Sequence, residues 1–284
     1  MIDEIGEGIS LLVPFRDDHE GRGVIWDWLQ RFWTAFLPGA EIVMGTDDGV
    51  PFSKTCAIND AFQRCHGDII VLLDADCYIE PSVILRCAHH IRNLRDEFQE
   101  PLWFIPYRRL YRLTPDATVR LIASDPANPV VIPTPPSAVD VGSTKNSAVG
   151  HWFGALIQIM PREAFEAVGG MDPRFRGWGS EDVCFVRVLD TMFCGHRSTN
   201  NQVFTLWHEV IDRSVPGQNI ARVWVGQTGA GQNKKLSIKY VRAYRDPART
   251  RRVIAEWQRD PDATYASHLI GPPIPMEHET MEHH

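Results

Sequence analysis

Residues 68–76, DIIVLLDAD, read as a buried strand that ends in acidic residues, and no other segment limits the possible folds as strongly. A continuous apolar run of this kind is typical of a parallel strand covered on both faces. Two similar runs precede it, at residues 9–15 and 41–45. Helix-patterned segments follow the three strands at residues 24–37, 51–65 and 81–98. This β-α-β-α-β-α order predicts an α/β fold, a mostly parallel central sheet with helices on both faces.

Beyond residue 100 the pattern continues less regularly. Short strands are predicted at residues 103–113, 153–160 and 203–208. Residues 114–150 are rich in Pro, Ser, Thr, Asp and Gly and predict a long loop over one face of the sheet. Helices are predicted at residues 161–170 and 180–195, with Ser180 as the N-cap of the second.

The C-terminal part is predicted to be an extension of the same domain. Residues 214–235 are rich in Gly, Gln and Asn and predict a mobile segment, and residues 235–260 predict helices with a break at Pro247. We therefore predict a single domain over residues 1–212, with halves at about 9–100 and 101–212. A flexible loop and helices over 213–260 would pack on this domain, and 261–284 would form a disordered tail.

The composition disfavours several classes of protein. The 36 acidic residues outnumber the 29 Lys and Arg, for a net charge of −7, which disfavours a nucleic-acid partner. No run approaches the roughly 18 apolar residues of a membrane span. The six cysteines are scattered without a C-x-x-C pair, which argues against structural zinc and for a reducing compartment. The acidic N-terminal residues do not resemble a secretory signal, so we expect a cytoplasmic location.

Acidic pairs follow each of the first three predicted strands. The pairs are Asp17 and Asp18, Asp47 and Asp48, and Asp74 and Asp76. In an open α/β sheet, ligands bind beyond the carboxyl ends of the strands. For any one pair, the preference of Asp for loops and helix caps is an equally good explanation. Three pairs at one edge favour a binding site.

The sequence Asp74-Ala75-Asp76 carries the most specific chemistry of the three pairs. Alternation along an extended chain predicts that both carboxylates lie on the same side. Two hard oxygen ligands suit Mg²⁺ or Mn²⁺, which bind through one or two carboxylates together with substrate phosphates. The spacing alone is common by chance, and its position directly after a buried strand strengthens it.

Two further groups are candidates for a site. In FRGWGSEDV (175–183), Trp178 lies between two glycines, and Glu181 and Asp182 begin a helix. Favourable charge at a helix N-terminus explains one of these acids, and a general base explains the pair. His208 follows a predicted strand, where a structural histidine is the commoner case. The segment VWVGQTGAGQNKK (223–235) resembles a strand and a phosphate loop, but Gln232 and Asn233 stand where that loop needs Lys and Ser/Thr, which disfavours this interpretation.

Four segments together resemble the GT-A fold glycosyltransferases, and most closely the β-1,4-galactosyltransferases and the chondroitin-polymerase-type family-two enzymes. The segments are VPFRDD (13–18), FSKTCAINDAF (52–62), LLDADCYIEP (72–81) and FGALIQIMPREAFEAVGGMDPRFRGWGSEDVCFVRV (153–188). The resemblance implies a donor half over residues 9–100, an acceptor half over 101–212 and a nucleotide-diphosphate sugar as donor, with a UDP sugar favoured.

The resemblance also implies a role for each site residue. Asp76 and His208 would hold Mn²⁺ or Mg²⁺, Asp182 would be the general base and Glu181 its catalytic neighbour. The residues implied to bind the donor are Pro14, Phe15, Arg16, Asp17, Asp47, Asp48, Lys54, Asp74, Ala75, Trp178 and Gly179. Asp182, in a position where retaining relatives carry Asn, implies an inverting enzyme.

Some positions depart from the family pattern. Val183 and Cys184 stand where the galactosyltransferases have further acids, and residues 106–150 match nothing in the family. The acceptor, whether glycan, protein or small molecule, is therefore not implied. Two alternatives remain: an enzyme that forms nucleotide sugars, disfavoured by the acidic segment after the first strand, and a non-catalytic sugar- or nucleotide-binding protein. Without a membrane anchor or secretory signal, a bacterial or viral cytoplasmic setting is expected rather than the Golgi.

Overall fold

The computed structural model describes residues 4–17, 21–49, 51–132, 138–143, 156–177, 179–208 and 230–259, with the backbone alone for 138–143, 230 and 231. The strands are β1 (Ile9–Pro14), β2 (Glu41–Gly45), β3 (Ile69–Leu73), β4 (Cys77–Tyr78), β5 (Phe104–Ile105), β6 (Arg109–Leu113), β7 (Ala138–Ser143), β8 (Ile157–Pro161), β9 (Arg197–Ser198) and β10 (Gln202–Thr205). The α-helices are α1 (Arg22–Phe36), α2 (Lys54–Arg64), α3 (Pro81–Asn93), α4 (Pro115–Ile122), α5 (Arg162–Ala167), α6 (Glu181–Met192), α7 (Ala230–Ala243) and α8 (Pro247–Gln258).

A six-stranded sheet in the order β2-β1-β3-β8-β5-β9 forms the centre of the fold. β1 runs parallel to β2 and to β3, as the sequence predicts. β8 is antiparallel to both β3 and β5. The α/β prediction is confirmed, and the sheet is mixed because β8 follows a long excursion rather than a single crossover helix.

The central strands and the first helices form because their apolar residues match the sheet and helix periods. All residues of β1 and β3 are buried, as expected for strands covered on both faces. On α1, Trp28, Phe32 and Trp33 point into the core at helical spacing. At the start of α2, the Ser53 hydroxyl accepts a hydrogen bond from the Cys56 amide. α2 packs on β1 and β2 and brings its first residue to the carboxyl edge of the sheet.

A second sheet, in the order β4-β10-β6-β7, includes one strand, β7, from the segment that was predicted to be a long loop. Within residues 114–150 the structure has the helix α4 and the strand β7, so the loop prediction was wrong there. Thr114 caps α4 by accepting a hydrogen bond from the Ala117 amide, and Pro115 begins the helix. The polar composition of the segment concealed these capping signals.

The ends of two predicted elements differ in detail. Ser180 is the N-cap residue of α6, as predicted, but its backbone is left-handed, with φ of 78°, and its hydroxyl makes no capping hydrogen bond. The final strand ends at Thr205 rather than at residue 208, because the Leu206 amide leaves the sheet to donate to the Asp76 carbonyl oxygen.

The C-terminal helices complete the core. α7 packs on α6 and α8, and Tyr240 and Trp257 are buried. The predicted break at Pro247 is confirmed. Residues 230–235 are helical rather than mobile, while 214–229 and the predicted tail at 261–284 lie outside the described residues.

Candidate active site

Three chain segments meet at the carboxyl edge of the parallel strands. Residues after β1, β2 and β3 lie together there because these strands are in register, with Pro14 beside Gly45 and Leu12 beside Leu72. The prediction that the acidic residues after these three strands lie at one edge of the sheet therefore agrees with the structure. Asp18 lies outside the described residues.

Lys54 lies between two carboxylates from distant parts of the chain. Its Nζ is 2.6 Å from Asp74 Oδ1 and 2.8 Å from Asp182 Oδ1. Burial alone would lower the pKa of Lys54, but the charges of Asp182, Asp74 and Glu181 outweigh it and raise this pKa well above its usual value. Lys54 is therefore a cation that joins the end of β3 to the start of α6.

Asp76 and His208 form a second pair beside the first. His208 Nε2 is 3.4 Å from Asp76 Oδ2, and the Leu206 amide donates to the Asp76 carbonyl oxygen, which holds the two segments together. Burial would raise the pKa of Asp76, but the hydrogen bond and charge of His208 and the charge of Arg22 lower it overall.

The D-x-D segment is a turn rather than an extended strand. The Cys77 amide donates to the Asp74 carbonyl oxygen at 2.9 Å, so the chain reverses between them. The two carboxylates consequently meet different partners, Lys54 for Asp74 and His208 for Asp76. The extended conformation predicted for this segment was therefore wrong, and the binding of a cation here stays a prediction.

The Asp76–His208 pair has suitable chemistry for a divalent cation. Adjacent ligands of an octahedral Mg²⁺ or Mn²⁺ lie about 3.0 Å apart, close to the observed separation of 3.4 Å. Within the described part of the chain, no three His, Cys, Asp or Glu side chains form a metal-binding cluster. The residues therefore fit a cation held by two protein ligands, with its other positions taken by water or substrate oxygens.

Glu181 and Asp182 begin α6 next to Lys54. The Glu181 side chain is buried, and its Oε2 accepts a hydrogen bond from the Gly179 amide at 2.9 Å. Burial and the neighbouring charge of Asp182 raise the pKa of Glu181 to about 7, and Lys54 offsets only part of this effect. Two adjacent carboxyls thus have different environments.

The carboxylate of Asp47 is occupied by hydrogen bonds and an ion pair within the protein. Its Oδ2 accepts hydrogen bonds from the amides of Gly49 and Ser53, and Arg176 Nη1 lies 3.0 Å from Oδ1. Arg16 donates to the Asp47 and Gly49 carbonyl oxygens. Asp47 therefore braces the loop after β2, and the exposed acid there is Asp48.

The remaining predicted residues line the same edge. Pro14 ends β1, Phe15 packs against Trp26, and Asp17 is exposed. Ala75 lies in the turn, and Gly179 has φ of 112°, a conformation that favours glycine. Trp178 lies outside the described residues.

Sequence reasoning missed three residues of this region. Arg176 pairs with Asp47, Arg22 adds positive charge near Asp76, and Tyr107 is buried close to Asp74 and Asp182. Burial and the nearby charges of Cys77, Asp182 and Asp74 raise the pKa of Tyr107 well above its usual value. Only Arg176 carried a signal, because it lies inside the FRGWGSEDV motif.

Two segments of the chain match family models. Residues 52–113 match the model described as glycosyl transferase family 2, and residues 144–204 match the model described as the N-terminal domain of galactosyltransferase. Both of the matched families are glycosyltransferases. The predicted resemblance to GT-A fold glycosyltransferases is confirmed, and the matched segments of this chain include Lys54, Asp74, Asp76, Glu181 and Asp182.

Solved structures similar to this chain include three complexes with nucleotide sugars. A mutant Drosophila β-1,4-galactosyltransferase 7 with manganese, UDP-Gal and xylobiose is 22% identical, with a TM-score of 0.36 over 68% of this chain and 63% of that one. S. aureus TarS with UDP-GlcNAc is 11% identical, with a TM-score of 0.48 over 87% and 70%. The Pyrobaculum calidifontis mannosyltransferase PcManGT with GDP-Man and Mn²⁺ is 15% identical, with a TM-score of 0.37 over 93% and 76%.

This chain thus spans less than two thirds of the Drosophila enzyme. No curated protein matches it significantly. Among the helices of the described ranges, none has the length and apolar character required to cross a membrane.

Proposed function

We propose that this glycosyltransferase moves a hexose from a nucleoside diphosphate sugar, with a UDP sugar favoured, to an acceptor hydroxyl, with inversion at the anomeric carbon. The contact of Lys54 with both Asp74 and Asp182 carries the proposal. It joins the D-x-D turn, which carries the proposed metal ligand Asp76, to the start of α6, which carries the proposed base Asp182.

Asp76 and His208 would hold Mn²⁺ or Mg²⁺ in this proposal. When bound, the cation supplies positive charge that stabilises the leaving nucleoside diphosphate. Lys54 adds a fixed positive charge on the same edge of the sheet, because its carboxylate neighbours keep it protonated. The donor would lie along Pro14, Phe15, Arg16, Asp17 and Asp48.

Asp182 is the proposed base. Its Oδ1 is held by Lys54 at 2.8 Å, which orients the carboxylate so that Oδ2 can accept the acceptor's proton. The acceptor oxygen forms a bond to the anomeric carbon as the bond from that carbon to the phosphate oxygen breaks. The electron pair leaves with the nucleoside diphosphate, and the proton ends on Asp182. A single displacement of this kind inverts the configuration.

Asp182→Asn tests the proposed base. We expect the variant to bind UDP with Mn²⁺ as the wild type does and to lose transfer by about 10²–10⁴-fold, the usual contribution of a general base. Calorimetry measures the binding, and a panel of nucleotide sugars with NMR of the product anomer measures the transfer.

Transfer by the variant at the wild-type rate would exclude Asp182 as the base, and a retained anomer would exclude inversion. Binding without turnover of any donor by the wild type would favour a non-catalytic protein.

The domain layout and the setting are part of the same proposal. Residues 9–100 would bind the donor, and residues 101–212 would bind the acceptor, which is a glycan, a protein or a small molecule. The cytoplasmic location remains a prediction, and fractionation of cells that produce the enzyme would test it.

A further inference from the structure

Asn233 is a buried polar residue in α7, outside both segments that match the family models. Asn233 is 2% exposed, and its side-chain amide makes two hydrogen bonds to the backbone of Arg176, a residue distant along the chain. The Arg176 amide donates to Asn233 Oδ1 at 3.3 Å, and Asn233 Nδ2 donates to the Arg176 carbonyl oxygen at 3.0 Å. Asn233 thus bonds both the amide and the carbonyl oxygen of Arg176, as the backbone of a neighbouring β-strand would.

A second contact from α7 holds the other end of the same segment. Tyr240, two helical turns after Asn233, donates from its hydroxyl to Asp172 Oδ2 at 2.8 Å. On its other side the segment is joined to the start of α2, where the Ser53 hydroxyl donates to the Phe175 carbonyl oxygen at 2.9 Å. Residues 172–176 are therefore fixed between α7 and α2.

The side chain presented by this segment is the Arg176 guanidinium. It is 40% exposed and pairs with Asp47, whose own carboxylate is only 10% exposed. The corner after β2, where the family resemblance implies an acid, therefore presents the Arg176 guanidinium to solvent as well as the exposed Asp48. A guanidinium carries five N–H donors and also stacks on planar rings.

The position of Arg176 indicates which part of the donor its guanidinium could contact. β1 separates β2 from β3, so the Asp47–Arg176 corner lies about 10 Å from the turn that carries Asp76, at roughly 4.8 Å per strand. With the diphosphate at Asp76 and His208 and the donor lying along the residues after β1, as proposed above, the nucleoside end of the donor would lie on the side of Arg176.

We propose that Arg176 contacts the nucleoside of the donor and that Asn233 is the positioning residue that fixes Arg176, which makes α7 part of the donor site. This inference rests on the proposed function. If Asn233 acts on the donor by fixing Arg176, its effect on donor binding passes through the Arg176 guanidinium, whereas its effect on folding does not.

A double-mutant cycle separates these two effects. UDP binding in the presence of Mn²⁺ is measured by calorimetry for the wild type, Asn233→Ala, Arg176→Ala and the double variant, with urea unfolding of each. Lys235→Ala, on the exposed side of α7, is the matched control and should bind UDP as the wild type does. Arg176→Ala should weaken UDP binding about tenfold or more, as expected for loss of a hydrogen bond from a charged group.

Asn233→Ala should weaken UDP binding in the wild-type background and have little further effect once Arg176 is alanine. Its loss of stability should be the same in both backgrounds. Binding of Mn²⁺-pyrophosphate should be unchanged in every variant, because that ligand lacks the nucleoside. Asn233→Asp, which has the same shape and keeps the acceptor for the Arg176 amide, replaces Asn233→Ala if the latter does not fold, and should give an intermediate loss.

An equal loss of UDP affinity from Asn233→Ala in both backgrounds would overturn the positioning role, as would no loss in either. Weaker binding of Mn²⁺-pyrophosphate by Arg176→Ala would overturn the assignment to the nucleoside. A wild-type chain that binds no nucleoside diphosphate would overturn the proposed function itself, and the inference with it.

Discussion

At the scale of single residues, the positive charge of Lys54 offsets the negative charges of the carboxylates in the candidate site. Three carboxyl groups, those of Asp74, Asp182 and Glu181, raise its pKa, and it contacts the first two directly. A buried carboxylate that loses its partner is strongly destabilising. The site therefore depends on this one cation for stability in addition to its proposed role towards the donor.

Lys54→Met keeps the length of the side chain and removes its charge. We expect the free energy of unfolding at pH 7 to fall by about 3 kcal/mol, because Asp74 and Asp182 lose their shared partner. Urea denaturation measures this change. Lys235→Met, at an exposed position of α7, is the control and should change stability little. Equal stability of both variants would show that the carboxylates are accommodated without Lys54.

Glu181 makes stability depend on pH in a defined window. Its pKa is about 7 in the folded state, against an ordinary 4.5. Between these values the native state holds a proton that the unfolded chain has lost, so the free energy of unfolding falls as pH rises from 4.5 to 7. The full difference corresponds to about 3 kcal/mol.

Glu181→Gln should remove this dependence, since Gln keeps an acceptor for the Gly179 amide and does not titrate. The measurement is urea unfolding of both proteins at pH 5 and pH 8. The wild type should lose more stability than the variant between these two values. The same loss in both proteins would mean that Glu181 is ionised throughout.

At the scale of elements, β10 and the turn after β3 bring the proposed metal ligands together. Thr205 pairs with Cys77, and the Leu206 amide bonds the Asp76 carbonyl oxygen, so His208 follows directly from this pairing. The histidine is therefore placed by the pairing of β10 with β4 in the second sheet. Its position beside Asp76 does not require a bound cation.

His208→Ala tests the metal pair. We expect the Mn²⁺-dependent part of UDP affinity to fall at least about tenfold, the loss that accompanies removal of even an outer-shell partner of a metal ligand. Calorimetry of UDP with and without Mn²⁺ measures it. His90→Ala, at an exposed position of α3, should bind as the wild type does. Unchanged Mn²⁺ dependence in His208→Ala would remove His208 from the metal site.

At the scale of the whole molecule, the C-terminal helices are joined to the core by a buried polar contact. Asp172 receives hydrogen bonds from Arg174 and from the Tyr240 hydroxyl, and Arg174 also reaches Glu256 in α8. Trp257 is buried against the same region. The helices α7 and α8 therefore stabilise the segment that leads into Glu181 and Asp182.

Tyr240→Phe removes one hydrogen bond of this contact. We expect a loss of about 1 kcal/mol and a melting temperature lower by roughly 2–4 °C, because Asp172 keeps Arg174 as a partner. Differential scanning calorimetry measures the shift. Ser237→Ala is the control, since this hydroxyl donates within α7 to the Lys234 carbonyl oxygen. A shift no larger than that of the control would show that the hydroxyl contributes nothing to stability.

Local features of the sequence determined the central part of the fold and the position of the edge. The apolar runs of β1 and β3 and the periodicity of α1 depend on a few consecutive residues, so pattern alone predicts them. The acids at strand ends follow from the same reasoning, because parallel strands end at one edge. Where capping signals lay in polar surroundings, as at α4, the prediction failed.

Tertiary structure decided which charges meet. Lys54 pairs with Asp182, and Arg176 with Asp47 across 129 positions, contacts that no local pattern encodes. It also assigned different partners to Asp74 and Asp76, which the sequence treats as one motif. The physical reason is that the energy of an ion pair depends on distance and burial in space, and chain separation determines neither.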